Sequence, residues 1–178
     1  GGLIDSGPIT GFEKVGEFNT TFGHVVNTTP QMPDAATQKL ALMLITEEVG
    51  EVVRAVHNDN PACQFLKAAE DAINRATMMI SKAEAYEFQG VDLENLAKEL
   101  TDTNYVVYGA GHKYGLNLDA CMTEVHTSNM SKTDESGNAI FNTIGKVMKG
   151  ENYVPANIAK VLGFEEFAPL VVITEEVE

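Results

Sequence analysis

Between Asp34 and His57 the apolar residues recur every three to four positions, and glutamates occupy the same line as leucines. Leu40, Leu44, Glu47 and Glu51 share one face of the helix this spacing predicts, with Glu48 about one side chain away. The opposite face, Ile45, Val49, Val52 and Val56, is apolar too, so this is not an ordinary solvated stripe. A second run behaves alike: Glu99 and Asp102 continue into Val106 and Ala110. Carboxylates are thus aimed where a bundle would bury side chains. At ~5 Å and an effective dielectric of ~20, each like-charged pair costs roughly 3 kcal/mol. Such groups must be protonated or must hold a cation.

The rest of the chain predicts an all-α bundle of about five helices. Gly11 to His24 places Phe12, Val15, Phe18 and Phe22 at helical spacing. Asn27 to Pro33 is a connector, and Asp34 is suited to cap the second helix, which runs to about His57. Pro61 suits a first helical position, opening a third helix to about Phe88 that ends at Gly90. Asp92 caps a fourth to about Tyr114, and a fifth runs from Asp119 to about Asn129. Ser131 to Glu178 reads as loops with a short hairpin, and Leu170 to Thr174 as a strand-like run. One domain over 1–178 is expected, with a core of about 12–130 and a loop-rich tail of 131–178.

A formal net charge of -14 speaks against DNA, RNA and anionic membrane surfaces, which need basic patches. It leaves nucleotides open, since a bound divalent ion reverses the local sign. No apolar run approaches the ~20 residues that span a bilayer. No basic-then-apolar leader is visible, and Cys63 and Cys121 are too few for a disulfide framework. A cytoplasmic setting is the expectation.

Oxygen-only donors of high charge density suit Mg²⁺, with Mn²⁺ as an alternative. The bland reading is acidic helix faces packed against a basic partner, but 12 Lys and Arg must then serve 26 acids. A ferritin-like di-iron site needs Glu-x-x-His, and none of His24, His57, His112 and His126 has a glutamate three positions before it.

Glu47-Glu48-x-x-Glu51, Glu99-x-x-Asp102 and the run Glu124-Val125-His126-x-Ser128-Asn129-Met130-Ser131-Lys132 together resemble the all-α nucleoside triphosphate pyrophosphohydrolases. This MazG-like superfamily also includes dimeric dUTPases and phosphoribosyl-ATP pyrophosphohydrolase. The stretch Gly145 to Pro155 is similar to the tail of the last branch, and the likeness covers roughly Phe12 to Ile158. It implies a helical homodimer or homotetramer and Mg²⁺-dependent cleavage between α- and β-phosphates. It implies Glu47, Glu48, Glu51, Glu99 and Asp102 as metal ligands, with Glu48 the preferred residue to orient or deprotonate the attacking water. One departure is the long Glu51-to-Glu99 separation, which makes Pro61 to Gly90 an extended helical insertion or a long version of the family's short intervening helix. Glu70 and Asp71 within it are expected to be solvated.

Substrate contacts are expected from Lys132, a point charge past a helix end, and from Asn129, suited to sugar or base. A helix cap with a dipole-complementing lysine is the alternative. Lys146, Lys149 and Tyr153 lie in a Gly-punctuated loop that either closes over phosphates or is plain surface. Phe18 and Phe22 either stack on a base or fill the core.

Overall fold

The computed structural model describes residues 7–164. In chain order the elements are α1 (Gly11–Thr21), α2 (Ala35–His57), α3 (Gln64–Ser81), a 3₁₀ turn (Ala85–Phe88), α4 (Leu93–Tyr114), α5 (Leu118–Met130) and α6 (Ile158–Val161). Among the described residues the only β pairing is an isolated antiparallel bridge, Phe141 with Val147. The expected all-α class therefore stands. The strand-like run Leu170 to Thr174 lies outside the described residues.

The caps explain the boundaries. Thr10 and Glu13 form a reciprocal capping box at the start of α1, each side chain taking a backbone N–H of the other. Asp34 Oδ1 accepts the N–H of Thr37, 2.7 Å away, and starts α2 where the sequence predicts. The third helix is shorter than expected. Pro61 stays in the preceding turn, α3 begins at Gln64, and the chain breaks after Ser81 before resuming as the 3₁₀ turn. The fifth helix is capped by Asn117, whose side chain accepts from Ala120 N–H, so it starts one residue before Asp119. The short α6, capped by Asn157, was expected to be loop.

The chain divides into two compact units. One comprises 25–101 with the returning strap 141–148. Its body is an α2–α3 hairpin. Contacts pair Lys39 with Ser81, Thr46 with Thr77 and His57 with Glu70, so the helices run antiparallel. Gly50 permits the close approach: a Cβ there would stand 2.8 Å from Asn74 Oδ1. Among the described residues, the other unit comprises 7–24, 102–140 and 149–164. In it α1 packs on α5 and α5 on α6.

Buried apolar side chains are few. Among the described residues only Phe22 and Val147 qualify, at 4% and 5% exposure. Large apolar groups stay open on α2 (Ile45, Val49, Val52, Val56) and on α4 (Leu96, Leu100, Tyr105, Val106, Val107).

Candidate functional site

On α2, Leu40, Leu44 and Glu47 are half-buried, while Glu48 and Glu51 are exposed. What half-covers Glu47 is the strap. Lys146 Nζ lies 2.9 and 2.8 Å from the two carboxylate oxygens of Glu47. The same strap passes Leu40, two turns earlier on that face, where a Cβ at Gly145 would meet Leu40 Cδ2 at 3.8 Å. On α4, Glu99 is exposed and engages Lys98 Nζ at 2.9 Å, and Asp102 is exposed as well.

These carboxylates are oxygen donors of the type a hard divalent ion prefers, and Glu47 already grips a cation with both oxygens. The donor chemistry therefore fits Mg²⁺ or Mn²⁺. Among the described residues, however, no three Asp, Glu, His or Cys side chains stand close enough to share one ion.

Glu70 corrects an expectation. It is buried at 5% exposure, not solvated, and its Oε2 lies 2.6 Å from His57 Nε2. The Asp59 N–H donates to His57 Nδ1 at 3.0 Å. The ring proton therefore sits on Nε2, and the imidazole donates it to Glu70. That hydrogen bond, helped by Lys67 and opposed by burial, holds the Glu70 carboxyl below its ordinary range. Asp71 is half-exposed and pairs with Lys67 at 2.7 Å, which lowers its carboxyl in turn. The overlooked signal was the apolar line of the third helix: Glu70 lies next to Ala69 and one turn before Ile73. Neither acid joins the α2 glutamates.

In the other unit, the run from Glu124 to Lys132 holds the tail down. Asn157 N–H donates to Glu124 Oε1 at 2.8 Å, Ser128 Oγ donates to the Val154 carbonyl at 2.7 Å, and Val154 N–H donates to Ser131 Oγ at 2.8 Å. His126 Nε2 meets Glu17 Oε2 at 2.7 Å and ties α5 to α1. Asn129 in the last turn of α5 and Lys132 just past it are both half-buried. Lys149 stacks its ammonium over the Tyr153 ring, 4.9 Å from the centroid. Phe22 is core and packs on Phe18 at a centroid distance of 4.5 Å, with His24 edge-on to Phe18 at 6.2 Å. Phe18 keeps partial exposure.

A family model described as phosphoribosyl-ATP pyrophosphohydrolase matches residues 15–129, more than half of the chain and both acidic motifs. The chain belongs to the phosphoribosyl-ATP pyrophosphohydrolase family. The chain is also similar to the uncharacterized protein L479 of Acanthamoeba polyphaga mimivirus, 37% identical over 121 residues. The match takes 66% of this chain but 36% of the viral protein, so the chain spans about a third of that relative's length. A crystal structure of a proposed NTP pyrophosphohydrolase from Exiguobacterium sp. 255-15 shares the fold. Its TM-score is 0.61 at 21% identity, covering 87% of this chain and 93% of that one. Between the two acidic motifs the chain runs through α3, folded back along α2.

Proposed function

We propose that this chain is a Mg²⁺-dependent nucleoside triphosphate pyrophosphohydrolase that also accepts Mn²⁺. It cleaves between the α- and β-phosphates, releases a monophosphate and pyrophosphate, and serves to remove unwanted or surplus (deoxy)nucleotides. The observation that carries this is the family match running through both Glu47-Glu48-x-x-Glu51 and Glu99-x-x-Asp102. In this reading residues 1–178 act as one catalytic domain in the cytoplasm.

Glu47, Glu48, Glu51, Glu99 and Asp102 are the residues that would hold the ion. A divalent ion there supplies charge neutralisation for the phosphates and a more acidic water. Glu48, exposed on α2, accepts a hydrogen bond from the attacking water and orients it toward the α-phosphorus. Lys132, Lys146 and Lys149 neutralise phosphate oxygens, and Asn129 and Tyr153 contact sugar or base. Phe18 stacks on the base, with the buried Phe22 behind it. A homodimer or homotetramer is supported by the open apolar stripes on α2 and α4, which a second copy would cover. DNA, RNA and membranes are not the partners in this reading. Among the described residues, no helix is long and apolar enough to cross a membrane.

Phosphoribosyl-ATP as substrate, in histidine biosynthesis, is the second reading, favoured by the description of the matching family. A non-catalytic module with acidic faces is the rival from another class. One experiment separates all three: a nucleotide panel that includes phosphoribosyl-ATP, with and without Mg²⁺, scored for pyrophosphate and orthophosphate. Pyrophosphate release from (deoxy)nucleoside triphosphates supports the proposal. Turnover confined to phosphoribosyl-ATP selects the second reading. Orthophosphate with a diphosphate refutes the regiochemistry, and no turnover favours the module.

A further inference from the structure

One hydrogen bond joins α1 to α5 across 109 residues of chain. His126 Nε2 lies 2.7 Å from Glu17 Oε2, with the imidazole 12% exposed and the carboxylate 43%. An ionised carboxylate only accepts, so His126 donates from Nε2. A second contact gives the direction of the two helices: a Cβ at Gly11 would lie 3.6 Å from Met122 Cε. Gly11 faces Met122 and Glu17 faces His126, so α1 and α5 run side by side in the same sense. Beyond the pair, α1 continues into Phe18, on which Phe22 and His24 cluster. Beyond it, α5 continues to Asn129, with Lys132 just past its end. The aromatic cluster and the polar end of α5 thus leave the pair on the same side.

The tail holds α5 independently, through Glu124, Ser128 and Ser131. The buried Phe22 anchors the end of α1. What Glu17 adds is the rotation of α1 about its axis. Residues 17 and 18 stand about 100° apart around a helix, so fixing Glu17 against His126 fixes which way the half-buried Phe18 ring faces.

We propose that Glu17 is a positioning residue which, through His126, sets α1 against α5 so that one nucleotide meets Phe18 with its base and Lys132 with its phosphates. The proposal rests on the base and phosphate contacts proposed above. Glu17 itself touches no substrate in this scheme. A preset spacing lets both ends of the nucleotide bind without the cost of ordering the two helices. When the pair is broken, Phe18 turns away and the base contact weakens, while the phosphate contact on α5 stays.

The test is steady-state kinetics of the full chain with Mg²⁺ on the best substrate among dATP, dGTP, dCTP, dTTP and dUTP. Inorganic tripolyphosphate, which has neither sugar nor base, serves as the competing inhibitor. Glu17→Ala should raise KM for the nucleotide about 5- to 50-fold, with kcat little changed and the Ki of tripolyphosphate unmoved. Glu17→Gln should restore KM, because its amide oxygen still accepts from His126. Phe18→Ala should raise KM without moving Ki in the same way. General loss of structure would move KM and Ki together. If Glu17→Ala raised both alike, or raised neither while Phe18→Ala raised KM, the positioning role would be overturned and the base contact would stand. If Phe18→Ala left KM unmoved, the base contact would fall and the proposal with it, leaving the hydrolysis itself intact. No hydrolysis of any of the five nucleotides would overturn the proposal and the triphosphate reading together.

Discussion

His57 donates its Nε2 proton to a buried Glu70 across 2.6 Å, and this joins the end of α2 to the first turns of α3. The Asp59 backbone fixes the ring's tautomer from the other side. Because the Glu70 carboxyl is held below its ordinary value of 4.5 in the folded chain, the unfolded chain takes up its proton first as the pH falls. The stabilisation is fully present above about 4.5 and is lost as the pH drops through the lower folded value. Asp71, lowered by Lys67, acts in the same direction. Thermal melts between pH 7 and pH 3 should show Glu70→Gln losing less stability on acidification than the wild type, since Gln still accepts from His57 but does not titrate. Parallel pH curves for the two proteins would remove Glu70 from the acid response.

A second prediction concerns the tail. Gly150 is pressed against the backbone of Thr133, where an added Cβ would lie 2.6 Å from the carbonyl carbon. Backbone cannot rotate away as a side chain can. Gly150→Ala should therefore cost about 1–3 kcal/mol or more, visible as an earlier urea midpoint. It should also loosen the segment that Ser128 and Ser131 hold through Val154. A midpoint equal to the wild type would show that the tail moves aside freely.

The starts of α1, α2 and α4 were readable because each carries a local cause, whereas α3 begins at Gln64 with no side-chain cap to announce it. Asp34 caps α2 directly, Asp92 Oδ1 accepts the Asn95 N–H at the start of α4, and the line through Leu40 repeats at a helical period. The early stop of α3 was not readable, because Lys82 and Ala83 are good helix formers and nothing in their order marks the break. Glu70 was misjudged for a related reason. A glutamate beside an apolar line is ambiguous until its partner is known, and His57 arrives from the far end of another helix. The acidic motifs were legible as motifs, but spacing within one helix says nothing about which side chains of other elements stand beside it. The grip of Lys146 on Glu47 spans 99 residues, and no local pattern predicts it.

The carboxylate set yields a third expected outcome. Glu51 is exposed on the face that carries Glu47. Glu51→Gln removes one negative charge from that face, so the metal-free protein should be as stable as the wild type or slightly more so. Its Mg²⁺-induced rise in melting temperature should shrink, because metal stabilises only through the site it binds. Thermal melts with and without Mg²⁺ measure both effects. If Glu51→Gln unfolded the protein while Mg²⁺ left the wild type unmoved, the glutamates would be a structural network.

The fourth prediction concerns Lys132, just past the end of α5. As the leaving pyrophosphate gains charge, an ammonium beside it stabilises the transition state more than the ground state, and only such differential binding raises the rate. Lys132→Ala should lower kcat/KM by about 10- to 1000-fold, or ~1.4 to 4 kcal/mol. Lys132 is half-buried, so its stem packs as well as its charge acts, and some loss of stability is expected beside the kinetic one. Lys132→Met separates the two, because it keeps most of the stem and removes the charge. Steady-state kinetics on both variants, paired with thermal melts, should show Met restoring stability without restoring the rate. If Met restored both, or if both variants kept wild-type kinetics, Lys132 would be a packing residue at a helix end, and the phosphate would have to be met by Lys146 and Lys149 alone.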